Sequence, residues 1–314
     1  MRHWVGKVLR LAKSCHLGHQ PHMISTQSII CIGAAHWDII GHSPRLSGTG
    51  QDVPGVIRRT PGGVALNIAV ALARQRHAPT LISVIGKDQA GDQLLEWLGA
   101  SGVITNKLKQ SDQHVTDSYL ALEGPQGLIG AVAVSNALES LSESDLPAIS
   151  VAAGDLVILD SGLSLEFLTA LSRSLLRQQI DLRLTAAAPA KADRLATFFG
   201  YRGCTFYLNL EEAARLCASK FDDGPSAAHA LLARGAERVL ITDGSKSVTD
   251  ADTTETIILT PPAITAQRVT GAGDIFAATH ISSELGGMTR HEALVAAITA
   301  ASAHVASPPP PYEG

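Results

Sequence analysis

The sequence predicts an α/β fold, a three-layer α/β/α sandwich around a largely parallel central sheet. Three observations predict it. From Ser28 onward, short β-branched runs alternate with longer stretches whose apolar residues recur at helical spacing. The longest apolar runs, such as Ser28–Gly33 and Leu156–Leu159, are strand-length and far short of the roughly 20 residues of a membrane-spanning helix. The chain has 314 residues, 45% hydrophobic and 17% charged, which is enough apolar material for a full core.

Ser28–Gly33 opens the sheet. A polar, Gly/Pro-rich stretch, 41–63, precedes a helix over Val64–His77, where Leu66, Ala69, Val70 and Ala73 share one face. Thr80–Gly86 is the next strand. Residues 115–134 read differently, because two runs of strand character flank Gly124, Pro125, Gln126 and Gly127, the pattern of an antiparallel hairpin inserted in the α/β chain. Strands follow at Leu156–Asp160, Ile180–Thr185, Thr205–Asn209 and Arg238–Asp243, with helices near 165–178, 211–219 and 226–235. Right-handed crossovers stack such units on both faces of one sheet. Lys246–Thr260 reads as a second hairpin, and Gly271–Leu285 and Thr289–Val305 as two closing helices. The tail 307–314 is Pro-rich and cannot continue a helix.

Composition excludes several function classes. With 25 Lys and Arg against 29 Asp and Glu, the net charge is −4, so no global basic field exists to bind nucleic acid. The four cysteines, Cys15, Cys31, Cys204 and Cys217, are far apart, which argues against a disulfide scaffold and for a reducing, cytoplasmic setting. Residues 1–37 contain Arg2, Lys7, Arg10 and Lys13 but no acid, leaving 21 basic against 29 acidic residues, or −8, for the remainder. Residues 1–27 therefore read as a dispensable, disordered N-terminal extension, with Met23 as an alternative start. His16, His19 and His22 are spaced by three, yet Pro21 interrupts the helix that would present them together, so they are not read as a metal site.

The segment richest in chemistry is Arg268–Ala278, RVTGAGDIFAA. Two glycines permit a tight turn, and an apolar, Ala-rich helix follows. Such a turn directs the amides of Gly271, Ala272 and Gly273, backed by the helix dipole, toward one point, where an anion is stabilised. Asp274 stands beside that point in the first helical turn. A carboxylate next to an anion hole suits phosphoryl transfer, in which a base takes a hydroxyl proton while amides neutralise the migrating group. Two other glycine motifs fail on spacing. A dinucleotide fingerprint would need glycine where Phe276 stands, and no G-x-x-x-x-G-K-[ST] occurs.

These residues resemble the ribokinase-like, phosphofructokinase-B type carbohydrate and nucleoside kinases, whose signature D-T-G-A-G-D appears here as Val269–Asp274, V-T-G-A-G-D. Supporting matches follow in the family's order: Gly33 with Asp38, the pair Gly62-Gly63 with Asn67, Gly86 and Asp88 with Gly91, Asn209 with Glu212, and Thr242 with Gly244. The resemblance covers about residues 28–306 and implies a kinase domain with a small β lid near 41–60 and 115–134. By that resemblance Asp38, Gly62, Gly63 and Asn67 hold the acceptor. Asn209, Thr242, Gly244 and Thr270 lie along ATP, Glu212 and Asn209 organise Mg²⁺ through water, and Asp274 is the base. It leaves room for a monovalent cation and for lid-to-lid pairing in a homodimer.

Within the family, Val115–Leu141 and the V-T-G-A-G-D form resemble bacterial pseudouridine kinases. The implied reaction is ATP-dependent phosphorylation of pseudouridine to its 5′-phosphate. A related kinase of ribose, uridine or an adenosine-like nucleoside, and a catalytically weak nucleoside sensor, are the alternatives. The chain departs from the family pattern at Val269, Ser247, Ala137 and Thr185-Ala186.

Overall fold

A computed structural model describes residues 27–308, apart from Ser47, Thr49 and Gln126. The expected N-terminal extension, the three clustered histidines and most of the Pro-rich tail lie outside the described residues. The chain runs β1 (Ile29–Ile32), β2 (His36–His42), β3 (Val56–Gly62), α1 (Val64–Arg74), β4 (Thr80–Ile82), β5 (Val84–Gly86), α2 (Gln89–Ala100) and β6 (Lys109–Ser111). Next come β7 (Ser118–Gly124), β8 (Gly127–Val134), α3 (Asn136–Glu139), β9 (Leu156–Asp160), α4 (Leu165–Leu175), β10 (Asp181–Thr185), β11 (Cys204–Asn209) and α5 (Leu210–Cys217). The remainder is α6 (Gly224–Ala233), β12 (Arg238–Thr242), β13 (Val248–Asp252), β14 (Thr256–Leu259), α7 (Ala272–Leu285) and α8 (Arg290–Ala306).

Eight strands form the large sheet in the order β14-β13-β12-β11-β10-β9-β1-β4. All neighbours from β12 to β4 are parallel, and β13 and β14 are antiparallel, the second expected hairpin. Alternation along the buried strands divides the core. Ile30, Ile32, Val157, Leu159, Leu182 and Leu184 face α4, α5 and α6, whereas Ile29, Cys31, Leu156, Ile158 and Leu240 face α1, α7 and α8. The result is the expected three-layer sandwich.

Three elements differ from the sequence expectation. Thr80–Gly86 is not one strand: the chain leaves the large sheet after Ile82, whose carbonyl accepts from Gly33 N, and β5 pairs with β6 in a separate two-stranded sheet. Helix α2 was not anticipated. Asp88 caps it by accepting from Gly91 N at 2.7 Å, and Leu94 and Leu98 carry its buried stripe. The polar stretch near 41–60 also contributes longer strands than expected, since β2 and β3 pair from His36 to Gly62.

β2 and β3 join the hairpin β7–β8 in a second sheet of order β3-β2-β7-β8. The link between β2 and β7 is parallel, so segments some 80 positions apart in the chain meet there: Asp38 aligns with Tyr119. Asp117 secures the base of this sheet, its carboxylate accepting from the amides of Ala137 and Leu138 at 2.9 Å each.

Candidate active site

In a parallel sheet the strands end on one side, and ligands favour the crevice where the strand order reverses. Here β4 lies on one side of β1 and β9 on the other, so the reversal falls at β1 and β9. The C-terminal ends of β9, β11 and β12 carry Asp160, Asn209 and Thr242, with Asn209 and Thr242 in direct register.

The residues near this edge come from distant segments. Asn67, in the first turn of α1, donates from Nδ2 to Asp274 Oδ2 at 2.7 Å. Gly62 lies beneath Asp38: a methyl group added to Gly62 would overlap that carboxylate. Gly63 has φ +104°, and a side chain there would strike the Ala34 carbonyl, so glycine answers both a backbone and a space requirement. His36 Nε2 stands 3.1 Å from Asp38 Oδ1.

Asp274 occupies the first turn of α7, after Gly271 in the left-handed region at φ +81°. Ile275 N is the first amide here to find a helical acceptor, Gly271 O at 3.0 Å. Ala272 departs from the sequence expectation: its amide turns inward to Val269 O at 3.1 Å. Among the described residues, the amides of Gly271, Gly273 and Asp274 have no protein acceptor, and nothing lies close over Gly273. The loop that precedes them is fastened to α8, where His304 Nε2 donates to Thr270 O at 2.9 Å and Gln267 N donates to Val305 O.

Burial pushes the Asp274 carboxyl up to about 7. The Asn67 hydrogen bond opposes the rise, and the charges of Asp160, Asp38 and Glu212 add to it. Three of the acids therefore act on the fourth, drawn from β2, β9 and α5. Asp274 Oδ2 is taken by Asn67, which leaves Oδ1 without a protein donor among the described residues.

Glu212 is placed by a reciprocal cap. Asn209 Oδ1 accepts from Glu212 N, and Glu212 Oε2 accepts from Asn209 N, both at 2.8 Å. Burial raises its carboxyl to about 7, with Glu211 adding to the rise. No group of three or more His, Cys, Asp or Glu among the described residues is arranged to enclose a metal ion. Glu212 Oε1 has no protein donor among the described residues, and such a hard carboxylate oxygen fits magnesium, which keeps several waters and needs only one or two protein carboxylates. Gly244, in the turn after Thr242, has φ +57° and open space around it.

Other sequence-motif residues have structural tasks. Asp88 accepts from Thr116 N at 2.8 Å and Thr116 Oγ1 at 2.6 Å, and a methyl on Gly91 would overlap the Gly86 carbonyl, so this motif knots α2 to β5. Thr185 is buried and donates to Leu159 O, whereas Val269 is exposed. Asp160 was not singled out in the sequence. Its only signal there is a carboxylate closing an otherwise apolar strand, LVILD.

Comparison with known proteins bears on the fold and the family. Over 114 residues the chain is 35% identical to the pseudouridine kinase of Escherichia coli, a match spanning 35% of this chain and 36% of that enzyme's length. A carbohydrate kinase from Agrobacterium tumefaciens superposes with a TM-score of 0.74 at 27% identity, covering 88% of this chain and 89% of the other. Ribokinase from Arabidopsis thaliana, solved with ribose and ATP, superposes at 0.75 with 21% identity over 89% and 92% of the two chains, a likeness of fold. The profile described as pfkB family carbohydrate kinase matches residues 26–309, a range that contains all the described residues. The glycine turn before α7, the Gly62-Gly63 pair and the sandwich that brings them to one edge thus belong to a member of the pfkB family of carbohydrate kinases.

Proposed function

We propose that this protein transfers the γ-phosphoryl group of ATP to a hydroxyl of a nucleoside, with pseudouridine as acceptor and pseudouridine 5′-phosphate as product. The observation that carries the reading is Asp274: a carboxyl raised to about 7, fixed by Asn67, beside unpartnered amides at the start of α7. A group near neutrality takes a proton and returns it readily.

Asp38 and Asn67, with the backbone at Gly62 and Gly63, orient the sugar hydroxyls. The acceptor hydroxyl lies against Asp274 Oδ1. As its oxygen bonds to the γ-phosphorus and the bond to ADP breaks, its proton passes to Oδ1. The amides of Gly271, Gly273 and Asp274 receive the charge of the moving group. Thr242, Gly244 and Thr270 line the nucleotide. Glu212, with Asn209, would hold Mg²⁺ through water, and the ion would screen the triphosphate. The preference for pseudouridine rests on the partial match to the Escherichia coli enzyme.

The smaller sheet acts as a lid, because β2 carries Asp38 and the site lies against that face. Its other face exposes Ile57, Leu120, Leu122 and Val132, which pairing places side by side. An apolar sheet face with an open β8 edge suits a homodimer through the lids. Light scattering tests this: Leu120→Lys with Val132→Lys gives a monomer from a dimer, and a monomeric wild type refutes it. No helix among the described residues is long and apolar enough to cross a membrane; a cytoplasmic location is part of the proposal.

The test is a product assay with ATP and Mg²⁺ against pseudouridine, uridine, cytidine, adenosine, ribose and fructose 6-phosphate, read by mass. Selective pseudouridine phosphorylation is expected. Preference for another acceptor replaces the substrate, and nucleoside binding without turnover identifies a sensor.

A further inference from the structure

Asp160 is a fully buried carboxylate whose hydrogen bonds all come from backbone amides. It ends β9 beside β1, where the strand order reverses. Its Oδ2 accepts from Ala34 N at 2.7 Å and Ala65 N at 3.1 Å, and its Oδ1 accepts from Gly162 N at 2.7 Å. Ala34 begins the connection to β2, which carries Asp38. Ala65 lies between the Gly62-Gly63 turn and Asn67. One side chain therefore ties the connection entering β2 to the first turn of α1, and Gly33 leaves it the room: a methyl there would overlap the carboxylate.

Three amide donors are best met by an anion, since a neutral acid would turn its own O–H toward one of them. Burial pushes the Asp160 carboxyl up, and those amides together with His36 on β2 oppose the rise. Cys31 on β1 faces it as a thiol raised by burial and by Asp160. The groups that bear on Asp274 in turn are Asn67 of α1, Asp160, Asp38 of β2 and Glu212 of α5.

We propose that Asp160 is a positioning residue for the phosphoryl acceptor: as an anion it fixes the entrance to β2, which carries Asp38, and the first turn of α1, which carries Asn67, to the switch point of the sheet and adds its charge to the field at Asp274. The inference rests on the reading of Asp274 as the base.

Asp160→Asn tests it in the full chain, because the amide sets an N–H₂ against backbone donors and removes one negative charge. With the acceptor that supports turnover, KM for that acceptor rises about tenfold while KM for ATP stays within about twofold. The acid limb of kcat/KM moves to lower pH, since a charge that holds the Asp274 proton is gone. An unchanged acceptor KM with an unshifted limb, or equal rises in both KM values, overturns the proposal. Absence of turnover in the wild type would fall on the kinase reading instead. Carbon-13 spectra of the wild-type aspartate carboxyls need neither activity nor a folded variant: Asp160 is ionised at neutral pH, with slowly exchanging amides at Ala34 and Ala65. A protonated Asp160 at that pH overturns the inference.

Discussion

Asn67 donates to Asp274 Oδ2 at 2.7 Å, a single hydrogen bond that joins α1 to α7 across 207 positions of sequence. The bond favours the ionised form of Asp274 and is the one contact that works against its raised proton affinity.

Asn67→Ala should therefore shift the acid limb of kcat/KM to higher pH, because Asp274 then holds its proton more tightly. Activity at neutral pH falls about tenfold, the scale of a lost charge-assisted hydrogen bond. A pH profile in the two proteins checks this, and a limb displaced to lower pH would contradict it.

Gly62→Ala and Gly63→Ala should fail in different ways. The methyl at Gly62 meets the Asp38 carboxylate, so acceptor KM rises and the thermal midpoint changes little. The methyl at Gly63 meets the Ala34 carbonyl with φ at +104°, so stability falls by more than about 1 kcal/mol. Steady-state kinetics beside thermal melts separates the two.

Asp250 is fully buried and receives Arg238 and Arg290, each through two hydrogen bonds of 2.6–2.9 Å. Burial works against its ionisation, but the two guanidinium groups outweigh it and hold the carboxyl below its ordinary value. A depressed folded-state value adds stability that is present above the unfolded value of 3.8 and is lost as pH falls through the folded value. Asp250→Ala removes two hydrogen bonds from each arginine, leaving Arg238 with Glu284 and Arg290 with Asp252, and costs about 3–5 kcal/mol, measured by denaturant unfolding near neutral pH. The difference from wild type narrows in acid.

Much of this fold was legible because buried parallel strands write themselves as apolar runs. Leu156–Asp160 is a strand in both readings, and Val64 starts a helix where its apolar spacing begins. Helix α2 was less visible, since its buried stripe is narrow and its start is a cap shared with the distant Thr116. The break between Ile82 and Val84 depends on a partner, β6, that local pattern does not reveal. At the site, the glycine turn and Asp274 carry a local signature. Asp160 does not, because two of the three amides it accepts from, those of Ala34 and Ala65, lie far away in the chain. Nor does the sequence show that Ala272 N is used within its own turn.

Asp274→Asn should raise the thermal midpoint above neutral pH. The wild-type carboxyl has a folded-state value near 7 against 3.8 when unfolded, so between these values the folded state binds more protons and stability falls as pH rises. Removing the charge abolishes that fall. Melts at pH values on both sides of 7 show the variants converging in acid and diverging in base.

The most direct measurement is single-turnover phosphoryl transfer from ATP with Mg²⁺ to pseudouridine, comparing the wild type with Asp274→Asn. Proton abstraction by Asp274 predicts a loss of about 10²–10⁴-fold in the variant, with nucleoside binding retained. Near-wild-type transfer by Asp274→Asn would contradict the assignment of the base and the mechanism built on it.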